Sequence, residues 1–181
     1  NKMNKTYIIA EIGINHNGSL DVAKKLIDVA ALSGCDAVKF QKRNPDVCVP
    51  EHQKAVMRDT PWGRMTYLDY KYKVEFEKEE YDEIDRYCKE KGIEWSASPW
   101  DLDSLDFLME YNIPWIKIPS AMITNEALMR ASAATKKKVI FSTGMSTYEE
   151  IDQAVEWLQG SPILMLHCNS TYPAPLEDLN L

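Results

Sequence analysis

Apolar and polar positions alternate along the chain in two rhythms. Short runs rich in apolar and β-branched residues occur at about 7–13 (YIIAEIG), 36–41 (DAVKFQ), 93–97 (IEWSA), 115–119 (WIKIP), 138–142 (KVIFS) and 162–167 (PILMLH), and these predict strands. Longer segments with helical spacing lie between them and predict helices at about 20–33, 77–91, 102–111, 125–135 and 147–158. In LDVAKKLIDVAALSG, the residues Val22, Leu26, Val29 and Ala30 are expected on one buried helical face, with Gly34 placed to end the helix. In EYDEIDRYCKEKG the stripe is Tyr81, Ile84 and Cys88, and Gly92 ends it. Thr147 opens a capping box in which Glu150 reaches back to the helix start.

Strands alternating with helices predict an α/β fold with a parallel sheet, either doubly wound or closed as a (β/α)8 barrel. No GxGxxG follows the first strand, so the dinucleotide-binding fingerprint is missing. The rhythm is broken at about 42–76, a stretch with Pro45, Pro50, Pro61 and Gly63 that reads as a long functional or mobile connection. No low-complexity segment or second domain interrupts the chain, which is expected to form a single domain over 1–181.

Composition narrows the class. At 181 residues, with 45% hydrophobic and 27% charged residues, the chain can bury one substantial core. A formal net charge of −7 argues against broad electrostatic binding to nucleic acid or to an anionic membrane, though not against a local anion pocket. No apolar run has membrane-spanning length, and NKMNKTYIIAEIG carries no signal-peptide pattern. Cys35, Cys48, Cys88 and Cys168 are scattered without a CxxC pair, which fits reduced, mostly buried thiols in the cytoplasm.

The candidate chemistry lies in the polar positions inside the strands. Side chains alternate faces along a strand. Ile8, Ala10, Ile12 and Ile14 share the face suited to packing under helices, and Glu11, Gly13 and Asn15 share the other. The same division sets Val38 and Phe40 against Lys39 and Gln41, Ile116 and Ile118 against Lys117, and Trp95 and Ala97 against Ser96 and Ser98. One inward lysine could be a core ion pair. Two of them, with Glu11 and several serines at matching depth, point to a functional anion site, because unpaired buried charge is costly. With Ser98, Ser120 and Ser142, the lysines suit a ligand carrying phosphate and carboxylate. STGMS at 142–146 offers a further anion-binding corner before a helix. His16 and His167 lack a third ligand at metal spacing and read as hydrogen-bonded structural residues.

IIAEIGINHNGS, DAVKFQK, IKIPSAMITN, VIFSTGMST and LMLHCNSTYPAPLEDLNL, in this order and with fitting spacing, resemble the sialic acid synthases. These enzymes condense phosphoenolpyruvate with N-acetylmannosamine or a related amino sugar. WGRMTYLDYKYKVEF further resembles the animal-type branch. The resemblance implies a (β/α)8 TIM barrel, of which this chain covers about the first six βα units. It implies that Lys39, Lys117, Ser98, Ser120, Ser142 and Ser170 hold phosphoenolpyruvate, that Gln41 lies beside them and that Tyr172 lines the sugar site. Glu11 would assist at the reacting centre, so Glu11, Lys39 and Lys117 are the expected catalytic residues. A divalent metal, Mn²⁺ or Mg²⁺, would polarise the aldehyde or activate water, and a homodimer is expected of the complete enzyme.

Two departures from the family pattern stand out. The family's metal-binding histidines, last barrel strands and C-terminal antifreeze-like domain lie beyond Leu181, so these residues alone are expected to expose two sheet edges and to turn over poorly. Where many members carry SG and an acidic residue, this chain has Ser120, Ala121 and Met122. An apolar wall at Met122 would favour a 6-deoxy or diacylamino sugar over N-acetylmannosamine. The competing readings are another phosphoenolpyruvate–sugar condensing barrel, making a legionaminic, pseudaminic or other 3-deoxy sugar acid, and a non-catalytic anion-binding fragment.

Overall fold

Strand alternation and helix caps place the chain into repeated βα units in a computed structural model that describes residues 5–179. In order these are β1 (Ile9–Gly13), α1 (Leu20–Leu32), β2 (Ala37–Lys42), α2 (Pro45–Cys48), α3 (Glu51–Lys54), β3 (Met57–Thr60), β4 (Gly63–Thr66) and α4 (Tyr67–Val74). There follow α5 (Lys78–Lys91), β5 (Glu94–Pro99), α6 (Leu102–Leu108), β6 (Trp115–Ile118), α7 (Glu126–Ala134), β7 (Lys138–Ser142), α8 (Tyr148–Trp157) and β8 (Ile163–Leu166). The expected strands and helices are all present, with ends moved by a few residues.

The parallel strands form two sheets, ordered β1-β2-β5 and β6-β7-β8. β5 runs beside β6, and across that gap the Ser96 hydroxyl donates to the Trp115 carbonyl. The core lies between the strands and the helices. Val38, Phe40, Ala97, Ile116, Ile118, Val139 and Phe141 project from the strands to meet Ile27 of α1, Tyr81 and Ile84 of α5, Leu105 of α6 and Leu128 of α7. The predicted stripe on α5 is buried as expected, and Gly92 ends that helix in the left-handed region at φ 68°. The capping box of Thr147 and Glu150 is formed in both directions.

Two expectations need correction. On α1 the buried face is Ala23, Ile27 and Ala30, whereas Val22 and Val29 are exposed. The expected stripe is rotated toward the uncovered flank of β1, where Leu26, Val29, Ser33, Ala10 and Ile12 line a cleft of about 240 Å³. The second concerns 42–76, which is not irregular. It holds α2, α3, the antiparallel hairpin of β3 and β4, and α4. Its strands, MRDT and GRMT, lack the apolar alternation that marks a half-buried strand, because the hairpin stands out from the body and is mostly exposed. Asn44 and Thr66 cap the helices with side-chain oxygens.

The loop after β1 is pinned on that insertion. His16 is buried, stacks on Phe76 at a centroid distance of 3.8 Å and accepts the Gly18 N–H through Nδ1 at 3.0 Å. Burial pushes its pKa down to about 4, so it is a neutral structural residue, as its sequence context suggested. His167 differs from that expectation: it is exposed at the end of β8. Gly18 has φ 74°, and a Cβ there would lie 2.2 Å from the Lys73 carbonyl oxygen. Only glycine lets the loop pass α4 this closely. Gly18→Ala should therefore lower the unfolding free energy by about 3 kcal/mol, read as an earlier urea midpoint with an unchanged slope; a shift under about 1 kcal/mol would contradict this packing account.

Candidate functional site

The face of the strands away from the helices is layered. At its base Ala37, Trp115 and Ile140, flanked by Ile9 and Leu166, form a small apolar cluster separate from the main core. Two residues further along β2 and β6 the same face carries Lys39 and Lys117, as side-chain alternation requires. Glu11 is the register partner of Lys39 across β1 and β2, and its Oε2 lies 2.7 Å from the Lys39 ammonium. Lys39 also donates to the Ser98 hydroxyl at 3.0 Å. Thus Glu11, Lys39 and Ser98 come together, with Lys39 only 8% exposed.

Lys117 is held differently. Its ammonium donates to Ser142 Oγ at 2.6 Å and to the Ile118 carbonyl at 3.2 Å, both neutral acceptors. Among the described residues no carboxylate lies within ion-pair distance of it. Burial pushes its pKa down to about 8, and the positive charge of Lys39 pushes the same way, while Cys168 and Glu11 oppose the shift. The two ammonium groups therefore share one electrostatic environment, with Glu11 as its nearby counter-charge. The direction for stability is clear: the folded pKa lies below the unfolded value of 10.5, so the charged lysine costs stability below pH 8 and that cost fades as pH rises from 8 toward 10.5.

The remaining expected residues divide into two groups. Ser120, in the single turn Ser120–Met122 after β6, accepts the Gly144 N–H at 3.0 Å. A Cβ on Gly144 would meet both Ser120 Oγ and Ser170 Oγ at 3.2 Å, so these hydroxyls converge on the loop after β7. Gln41 lies above Lys39 on the same face of β2, opposite Ser98 in register. Tyr172 is not brought in: it is 92% exposed. The STGMS corner is built around the Ser120 contact, with its Gly144 N–H already used.

The sequence placed Gly13 on the polar face and Gly144 in the STGMS corner, but not the close contacts each makes, and it gave Cys168 no place beside Gly144. Gly13 has φ 56°, and a Cβ there would lie 2.9 Å from Glu11 Oε1, so its bare backbone leaves room for the carboxylate. Cys168 Cβ is 3.6 Å from where a Gly144 Cβ would sit. The contacts around Gly144 arise only when the loops after β6, β7 and β8 meet, and no pattern of spacing marks them. All four cysteines are free thiols, but only Cys88 is buried and the other three are half-buried. Met122 packs partly buried against the main core and lines a cavity of about 610 Å³ with Trp100 and Asn125. The Asn125 side-chain oxygen is engaged in capping α7. No three His, Cys, Asp or Glu side chains converge among the described residues.

The model of the NeuB family matches residues 26–181. The chain belongs to the NeuB family. It is 39% identical to an N,N'-diacetyllegionaminic acid synthase of Campylobacter jejuni over 99% of this chain and 56% of that protein. It is 37% identical to an N-acetylneuraminate-9-phosphate synthase of Drosophila melanogaster, over 99% of this chain and 49% of that protein. A crystal structure of the N-acetylneuraminic acid (sialic acid) synthetase of Leptospira borgpetersenii superposes with a TM-score of 0.85 at 34% identity, covering 98% of this chain and 59% of that one. The chain thus spans about half the length of the curated relatives it matches. No helix among the described residues is long and apolar enough to cross a membrane.

The electrostatic coupling has a direct test. Lys117, followed by ¹³C NMR after reductive methylation, should titrate near pH 8. Lys39→Met should raise that midpoint and Glu11→Gln should lower it; a midpoint near 10.5 that ignores both substitutions would refute the shared environment.

Proposed function

We propose that this chain is the phosphoenolpyruvate-binding part of a synthase that joins phosphoenolpyruvate to an amino sugar, N-acetylmannosamine or a relative, giving a sialic-acid-type sugar acid and phosphate. The observation that carries the reading is Lys117, a largely buried ammonium held only by neutral oxygens beside a second ammonium. Such a cation is costly to bury without an anion, and a ligand with carboxylate and phosphate supplies the missing charge. The hydroxyls of Ser98 on Lys39, Ser142 on Lys117, and Ser120 and Ser170 beside Gly144 can add directed hydrogen bonds of the kind such oxygens accept.

In the proposed reaction, C3 of phosphoenolpyruvate forms the new bond to the aldehyde carbon of the open-chain sugar. Water adds at C2, the bond from C2 to the phosphate oxygen breaks, and phosphate leaves. Lys39 and Lys117 hold the anion and balance its charge as it rearranges. Glu11, paired with Lys39 and half-exposed, can take up or return a proton at the reacting centre. Any divalent metal would need ligands beyond the described residues to complete its set. The exposed outer strand β8, with Ile163, Leu164 and Met165 uncovered, and the open flank of β1 support closure of the longer protein into a (β/α)8 barrel by further βα units. Tyr172 would join the sugar site in that closed form, and a cytoplasmic homodimer completes the proposal.

The assay is phosphate release by the full-length protein from phosphoenolpyruvate with N-acetylmannosamine or a 6-deoxy diacetamido hexose, with Mn²⁺ present. Lys117→Ala should raise KM for phosphoenolpyruvate about tenfold or more, the scale of a charged hydrogen bond, with little change for the sugar. Anion binding without phosphate release from any such pair would favour a non-catalytic role.

A further inference from the structure

We propose that Arg43 is a positioning residue that sets which end of the Gln41 amide faces the lysine layer. This rests on the proposed function, because it treats Gln41 as part of the substrate site. Arg43 Nη2 donates to Gln41 Oε1 at 3.0 Å. A guanidinium has donors only, so the Gln41 atom it meets must be the oxygen, and the amide cannot turn over without placing two donors face to face. The amide NH₂ is thereby directed the other way. Gln41 Nε2 lies 3.6 Å from where a Gly13 Cβ would sit, on the side that Glu11 Oε1 also approaches. Glu11 pairs with Lys39, so the Gln41 donors open onto the same layer as the ammonium groups.

Arg43 is itself anchored at both ends. Its backbone N–H donates to Glu75 Oε1 at 3.1 Å, and Glu75 is a buried carboxylate that Lys42 also approaches at 3.4 Å. Its guanidinium lies over the Trp100 ring at 3.8 Å, which fixes the plane of the fork. Arg43 Nε is buried and has no hydrogen-bond partner among the described residues. The stack on Trp100 and the contact to Gln41 together hold the fork in one orientation. The backbone at Gln41 is fixed, since its main-chain carbonyl accepts the Tyr81 hydroxyl at 3.0 Å. From that fixed backbone the side-chain oxygen reaches Arg43, and this contact sets the amide orientation. With the amide reversed, an oxygen would face Glu11 and any bound anion, where repulsion replaces a hydrogen bond.

The test compares wild type, Gln41→Ala, Arg43→Ala, Arg43→Lys and the double variant Gln41→Ala/Arg43→Ala in the full-length protein. Two readouts are taken: the Gln41 side-chain NH₂ resonances in ¹⁵N NMR, assigned by their loss in Gln41→Ala, and kcat/KM for phosphate release. Arg43→Ala should move the Gln41 resonances, and each alanine variant should lower kcat/KM about tenfold, the size of one hydrogen bond. The double variant should be no worse than Gln41→Ala alone. Arg43→Lys keeps the charge without the fork and should fall between Arg43→Ala and wild type; it carries the same comparison if Arg43→Ala does not fold. Unmoved Gln41 resonances, or losses that multiply in the double variant, would overturn the proposal. A wild type that releases no phosphate would refute the proposed function instead, and the resonance comparison would then decide the role of Arg43 by itself.

Discussion

Much of this structure turns on a lysine ammonium that is mostly buried and, among the described residues, has no carboxylate within ion-pair distance. Lys117 rests on the Ser142 hydroxyl and a carbonyl, with Lys39 as a like-charged neighbour. Ordinary cores avoid this arrangement, because desolvation of a charge is repaid only by close opposite charge. The fold accepts it at the point where two three-stranded sheets adjoin, above an apolar base of Ala37, Trp115 and Ile140. Burial there, with the charge of Lys39, holds the pKa of Lys117 down at about 8. An anion arriving from above would relieve both the desolvation and the repulsion.

The opposition between the two faces of the sheet makes this possible. Helix-side residues such as Phe40, Ile116 and Ile118 are fully buried and pack the strands against the helices. The other face is then free to carry charge at a depth set by strand register. Glu11 stands opposite Lys39 because β1 and β2 are in parallel register, and the bulge between Glu11 and Gly13 follows directly. Stability and chemistry are thereby assigned to alternate residues of the same strands. This explains how one short stretch, AVKFQK, can serve both.

The same alternation explains what was legible in the sequence. Parity along AVKFQ and WIKIP placed Lys39 and Lys117 away from the helices, and both are found there. Capping signals at Thr147 and Gly92 were read correctly because they are local. The buried face of α1 was misread because its apolar residues cover both the core and the flank beside β1, and spacing cannot tell the two apart. The hairpin within 42–76 escaped because its exposed strands need no apolar alternation. Gly144 meets Ser120 and Ser170, and Arg43 meets Glu75 and Trp100, residues distant in the chain, and no single stretch of sequence carries such contacts. Tyr172 and the wall expected at Met122 depend on surroundings beyond local pattern: the first is exposed and the second is packed against the core.

The claim that Lys117 awaits an anion is tested most directly by proton uptake on binding. An anion beside a lysine of pKa about 8 raises that pKa, so binding just above pH 8 must draw protons from the buffer. Phosphoenolpyruvate titrated calorimetrically into the full-length protein at about pH 8.5, in two buffers of different ionisation enthalpy, measures this uptake. The account predicts a fractional proton taken up per ligand bound in wild type, and its loss in Lys117→Met. Binding with no proton uptake, or uptake unchanged in that variant, would contradict it.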